Sequence, residues 1–384
     1  MIPLSLYIHF PWCVQKCPYC DFNSHKQKEN ILEQDLDQKN YIDALIKDVE
    51  LILPYVWGRR ISSIFIGGGT PSLLKPSQLE SLLSQIRARL QILPNAEITL
   101  EANPGSADQA NFNAYRQLGI NRLSIGVQSF NNQHLKTLGR IHQADEAKNA
   151  FEMARNAGFE QINLDIMFGL PNQTIAEGLQ DLEQAIALNP NHISYYQLSL
   201  EPNTYFHRYP PILPHDELIE ELQIQGQALL HNAAYKQYEV SAFAQAKSEC
   251  LHNRNYWEFG DYIGIGAGAH GKITMSNEQK IYRTSLKKHP RSYLELAGTM
   301  DCFDEFKCVD AKELPFEFML NVLRLKNGVP KQYFQERCFL DLASLDLNLK
   351  KLESRGLLQT HNTHLCATNR GFLFLNQAIS EFIA

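Results

Sequence analysis

The chain has 384 residues, of which 44% are hydrophobic and 20% charged, and carries a formal net charge of −6 at pH 7. That length suits one large α/β domain of about 250 residues with a smaller companion, and no apolar run approaches the roughly 18 residues of a membrane span. The negative balance gives no general attraction for nucleic acid, and eight cysteines are too few for a disulfide scaffold. Entry into a strand at Leu4, with no basic leader or long apolar core, makes the cytoplasm the expected location.

Six β-rich runs, at 4–9, 61–66, 97–101, 122–127, 162–167 and 192–198, alternate with segments of helical spacing at 41–53, 79–90, 144–157 and 175–188. Strand alternating with helix implies a parallel sheet. Chemistry-bearing residues fall just past the C-terminal ends of several strands, which favours an α/β fold built as a partial (β/α)6 TIM-type barrel over a doubly wound open sheet.

Past Leu200 comes a proline-rich segment (202–214), then a helix at 217–231 and a strand at 238–242. The run Gly264-Ile-Gly-Ala-Gly-Ala-His-Gly271 lacks the spacing of a dinucleotide fingerprint and reads as close backbone packing or approach to a ligand. From Asp301 the order is helix (315–325), helix (342–354), strand (357–360), turn at Asn362, strand (365–368) and helix (372–382). This is a small winged-helix-like α+β domain, but its ten Lys and Arg against eleven Asp and Glu give no DNA-binding footprint. A packing or interaction module is expected. The domains expected are 1–235 (barrel core), 236–300 (extension) and 301–384 (C-terminal domain).

Cys13-Val-Gln-Lys-Cys17-Pro-Tyr-Cys20 follows the first strand, so that three thiols can converge on one metal cluster. Three ligands with no obvious fourth suggest an iron left open to an exchangeable ligand. A zinc site completed by His9 or His25, or three unrelated thiols, are the plainer readings. Tyr19 places an aromatic beside the open iron, and Gly67-Gly-Gly-Thr-Pro71 lets a backbone approach a bound molecule.

Together these motifs resemble the radical S-adenosylmethionine enzymes. That resemblance implies a [4Fe-4S] cluster on Cys13, Cys17 and Cys20, with S-adenosylmethionine chelating the fourth iron. Several further motifs are similar to the oxygen-independent coproporphyrinogen dehydrogenase branch: Tyr7-Ile-His-Phe-Pro-Trp-Cys13, Glu101-Ala-Asn-Pro-Gly105, Gly126-Val-Gln-Ser129, Leu138-Gly-Arg140 and Asn163-Leu-Asp165. They imply an S-adenosylmethionine site lined by Tyr7, Tyr19, Gly68, Gly69, Thr70, Glu101, Gln128, Arg140 and Asp165, with Arg140 suited to a carboxylate and Asp165 to a ribose hydroxyl.

Two departures separate the chain from those dehydrogenases. Phe22 stands where they carry a further cysteine, and twelve residues precede Cys13 where they carry a long segment. The run from Trp12 to His25 resembles instead the HemW group of haem chaperones. His252-Asn-Arg-Asn-Tyr256-Trp257 matches that group's HNxxYW motif; without the family it is a histidine near a turn with two aromatics behind it, suited to capping or core.

The resemblance implies haem contact by His252, Tyr256 and Trp257, with His252 as iron ligand. His9, Trp12 and His270 rank second, core packing being their plainer role. The function expected is a haem chaperone without dehydrogenase activity, the alternative being a coproporphyrinogen III dehydrogenase or related tetrapyrrole enzyme. Its expected partners are haem, acceptor haemoproteins such as respiratory enzymes, and a haem donor protein. No integral membrane segment is expected, peripheral membrane contact fits the reading, and the assembly expected is a monomer or a cluster-dependent dimer.

Overall fold

The computed structural model describes residues 2–28, 30–360 and 363–383. Six strands hydrogen-bond in chain order and run parallel: β1 (Leu4–Phe10), β2 (Arg60–Gly68), β3 (Gln91–Ala102), β4 (Arg122–Gln128), β5 (Gln161–Phe168) and β6 (His192–Gln197). Between them run α1 (Ile31–Val56), α2 (Pro76–Arg89), α3 (Gln109–Gln117), α4 (Asn132–Thr137), α5 (Ala144–Asn156) and α6 (Ile175–Ala187). The partial (β/α)6 barrel expected from the alternation is therefore present.

The strands alternate with period two, and the two faces differ in kind. On β4, Leu123, Ile125 and Val127 join the apolar core, while Ser124, Gly126 and Gln128 line a cavity on the other face. That inner face is polar: Asn163 Nδ2 donates to Ser124 Oγ at 2.8 Å, His192 Nδ1 lies 2.6 Å from Asn163 Oδ1, and Arg122 donates to the Ser248 carbonyl at 3.1 Å. These buried polar groups have partners, which makes their desolvation tolerable. Helix starts are written locally too. Thr174 and Glu177 form a capping box at α6, Glu177 accepting the Thr174 N–H at 2.9 Å.

Helix α1 begins ten residues earlier than the periodicity predicts, because its first turns are mostly exposed and carry no apolar repeat. After α7 (Asp216–Asn232), the strand expected at 238–242 is two strands, β7 (Lys236–Glu239) and β8 (Ala242–Ala244): β8 pairs antiparallel with β6, and β7 pairs antiparallel with β8 at the sheet edge. Next come α8 (Leu251–Trp257) and four strands that extend the other edge: β9 (Asp261–Ile265), β10 (His270–Met275), β11 (Lys280–Leu286) and β12 (Phe303–Cys308). Strand β9 pairs parallel with β1, and the others follow antiparallel. Buried Asp261 pins this edge by bonding Lys272 at 2.9 Å and Arg59 at 2.7 Å.

The glycine-rich run joins β9 to β10 by close packing. A Cβ at Gly266 would lie 2.6 Å from the His9 carbonyl oxygen, and one at Gly268 the same distance from Asn23 Nδ2.

A second core gathers Phe318, Phe334, Leu352 and Phe382 with Phe259 and Ile281. Here the strand expected at 357–360 is only a single bridge from Leu358 to Ala367, and the short pair that forms is Val329–Pro330 with His364–Leu365. The expected final helix is split into Asn369–Leu373 and Leu375–Ser380, since Phe374 leaves helical geometry at φ −109°, ψ 38°. The expected turn at Asn362 lies outside the described residues. No helix among the described residues is long and apolar enough to cross a membrane.

Candidate functional site

The cysteine loop leaves the C-terminal end of β1 and is held from several sides. His9 Nε2 donates to the Asn23 carbonyl at 2.8 Å, leaving Nδ1 to accept from the Tyr7 hydroxyl at 3.0 Å. Asn23 Nδ2 donates to the carbonyls of Ala267 and Lys288 at 2.8 and 2.7 Å, tying the loop to the glycine-rich run. With both ring nitrogens engaged, and burial pushing its pKa down to about 4, His9 is committed to this scaffold rather than to a zinc ion.

All three thiols, with Tyr19, line one cavity of about 700 Å³. Among the described residues no three His, Cys, Asp or Glu side chains close on a point that would suit a single ion. Burial pushes the Cys13 and Cys20 thiols up, so they stay protonated until a cation displaces the protons.

The remaining family-implied residues converge on the same two neighbouring spaces. Gly69, Thr70, Gln128, Arg140 and Asp165 line the cysteine cavity, Tyr7 lines a second of about 900 Å³, and Gly68 and Glu101 line both. Gly68 has φ +116°, and a Cβ there would lie 2.5 Å from the His9 ring. A Cβ at Gly69 would meet the Trp12 carbonyl at 2.5 Å. These two glycines are thus required by packing against the cysteine loop, whatever else they contact.

Glu101 accepts the Gly68 N–H at 3.0 Å, and burial, with the Asp165 carboxylate nearby, pushes its pKa up to about 8. Asp165, raised by burial, accepts from Asn163 Nδ2 at 2.8 Å and Ser124 Oγ at 3.2 Å. Gln128 takes φ +73° and accepts the Tyr196 hydroxyl at 2.7 Å. Arg140 donates through Nη2 to the Gly126 carbonyl at 2.7 Å and reaches Cys17 Sγ at 3.8 Å through Nη1, while its buried Nε has no partner among the described residues. A cation with an orphaned donor, opposite raised carboxyls, has the chemistry to hold a ligand bearing both a carboxylate and hydroxyls.

The HNxxYW residues form helix α8, not a turn. Residues four apart share a helix face, so His252 and Tyr256 turn to the larger cavity while Trp257 turns to the cysteine cavity. Asn253 lines both. His252 is only 7% exposed and sits against Phe65 and Tyr7, at ring-centroid distances of 5.2 and 6.5 Å. Its Nδ1 lies 3.2 Å from Ser63 Oγ and its backbone N–H donates to Glu97 at 3.1 Å. Burial pushes its pKa down to about 3. Trp257 is half-buried under Arg324, with the guanidinium 4.2 Å from the ring centroid.

Asn23, Tyr196 and Asn253 are site residues that sequence reasoning missed. Tyr196 was within reach, because it continues the inward period of β6, whereas the Asn23 clamp depends on a contact 244 residues away. Phe22, which replaces the dehydrogenases' extra cysteine, is 57% exposed and lines both cavities. Of the secondary candidates, His270 lines the larger cavity, and Trp12 packs edge-on to Tyr41 at 4.9 Å.

Comparison with known proteins agrees with this architecture. Residues 7–185 match the radical SAM superfamily, and residues 309–374 match the HemN C-terminal domain. The chain is 46% identical over 382 residues to the "Heme chaperone HemW" of Escherichia coli, covering 100% of this chain and 98% of that one. It is 34% identical to the protein of the same name from Bacillus subtilis, with 99% of each covered. The solved structure of coproporphyrinogen III oxidase (HemN) from Escherichia coli superposes with a TM-score of 0.83 at 23% identity, covering 99% of this chain and 90% of that one, and thereby shares the fold. The chain belongs to the radical SAM superfamily, within the family of HemW heme chaperones.

Proposed function

We propose that this protein carries haem and passes it to acceptor haemoproteins, beside a [4Fe-4S] cluster on Cys13, Cys17 and Cys20 and an S-adenosylmethionine site in the same cavity. The observation that carries the reading is the 46% identity to a heme chaperone along the whole length of both chains. The cluster would supply a reducible iron open to an amino and a carboxylate group. Arg140 would hold the carboxylate, Asp165 a ribose hydroxyl, and Tyr7 and Tyr19 would wall the ligand from water. The larger cavity, with Tyr256 at its wall and Phe22 at the boundary, would take the porphyrin.

In this reading residues 1–235 form the barrel core, 236–300 carry the haem motif, and 301–384 are an interaction module. All eight cysteines are free, which supports a reducing, cytoplasmic setting. A second reading, coproporphyrinogen III dehydrogenase, draws on the carboxyl and guanidinium groups gathered in the cysteine cavity.

One anaerobically reconstituted sample separates the two. Hemin titration should give a saturable Soret shift, while incubation with reductant, S-adenosylmethionine and coproporphyrinogen III should give no protoporphyrinogen. Turnover without hemin binding would reverse the assignment.

A further inference from the structure

Four histidines line the larger cavity; His9 is engaged at both ring nitrogens and His25 Nε2 lies 3.1 Å from Asn23 Oδ1, while His252 and His270 stand in opposite ways. His252 is buried behind Tyr7 and Phe65, and its Nδ1 is engaged by Ser63. His270 stands exposed at the head of β10, its backbone fixed opposite Ser285 of β11. Its imidazole makes no hydrogen bond or ion pair among the described residues.

His270 also marks where the cavity of about 900 Å³ meets another of about 420 Å³. Tyr256 and Tyr262 line both spaces beside it, their rings 4.8 Å apart and tilted by 40°. Tyr262 is held in place by Arg283, which donates to its hydroxyl at 3.0 Å. Lys288 lines the larger cavity, and its ammonium has no carboxylate partner among the described residues. A free imidazole, a pair of large aromatic faces and an unpaired ammonium together suit the iron, the face and the propionates of a ferric porphyrin.

We infer that His270, rather than His252, ligates the haem iron, with Tyr256 and Tyr262 against the porphyrin face and Lys288 at a propionate. The inference rests on the haem-carrying function proposed above. His252 is then a positioning residue that fixes α8 to β2 through Ser63 and to β3 through Glu97, and so presents Tyr256. The neighbours of His270 suit a ligand role: partial desolvation on the cavity side, with Lys288 and Arg283, lowers its pKa against the opposing pull of Glu305, which favours the neutral ring that iron binds.

The test is ferric hemin titration of the full chain, reconstituted anaerobically, for the parent, His270→Ala, His270→Gly and His252→Gln, read by Soret position and affinity. We expect His270→Ala to bind at least about tenfold more weakly with a shifted Soret band, and added imidazole to restore the parental band to His270→Gly. His252→Gln should keep the parental band. A parental band and affinity in His270→Ala would overturn the assignment, as would loss of the band in a folded His252→Gln protein alone. Because His270 is exposed, its replacement tests the ligand even if His252→Gln does not fold. A parent that binds no hemin would instead overturn the haem-carrying function itself.

Discussion

The Gly68 backbone N–H donates to Glu101 Oε2 at 3.0 Å, and this bond ties the loop after β2 to the carboxyl at the end of β3. The Glu101 carboxyl has a pKa of about 8 in the fold against an ordinary 4.5. Between those values the folded chain keeps a proton that the unfolded chain has released. Glu101 therefore makes stability fall as pH rises from about 4.5 to about 8, with no further change above. Glu101→Gln keeps an acceptor for Gly68 and removes the titration. Urea midpoints of the cluster-free protein should match the parent near pH 5 and exceed it at pH 8.5; parallel curves would contradict the assignment.

Gly68→Ala should be costly for two reasons that act together. The residue sits at φ +116°, and the added Cβ would meet the His9 ring at 2.5 Å. Such strain costs about 1–3 kcal/mol, and relief requires His9 to shift and loosen its bond to Asn23. Denaturant unfolding should show the loss, with lower iron content after reconstitution. Unchanged stability would mean that the loop has another conformation.

Asn23→Ala removes the two side-chain bonds that tie the cysteine loop to Ala267 and Lys288. Each is worth about 1 kcal/mol net, so the fold should survive while the loop loosens. Iron release to a chelator should be several-fold faster than in the parent. Equal release rates would show that the thiols are held by the cluster alone.

Arg140→Lys keeps the charge but loses the fork that spans Gly126 and Cys17. If the cysteine cavity takes S-adenosylmethionine as proposed, calorimetry should show roughly tenfold weaker binding at parental iron content. Parental affinity would remove Arg140 from the site.

The barrel was legible because each strand is locally distinct. Leu123, Ile125 and Val127 announce one buried face, and Ser124, Gly126 and Gln128 the other. The edge strands β9 to β12 were not, since Asp261 finds β1 through a pairing some 250 residues distant, which no local pattern encodes. At the site, the cysteine spacing and the strand-end residues could be read in order. The partners of Arg140 and His252 could not, because Cys17 and Ser63 lie far away in the chain. In the C-terminal region, helical apolar spacing ran through Phe374 because the pattern carries no sign of the backbone break there.

A chain that carries haem without processing porphyrin must hand its haem to an acceptor. Hemin-loaded, cluster-reconstituted protein is mixed with an apo-haemoprotein and followed by the growth of the acceptor's Soret band. Transfer should be complete, with no conversion of coproporphyrinogen III to protoporphyrinogen by the same sample. Hemin that stays bound, together with steady protoporphyrinogen formation, would contradict the carrier role.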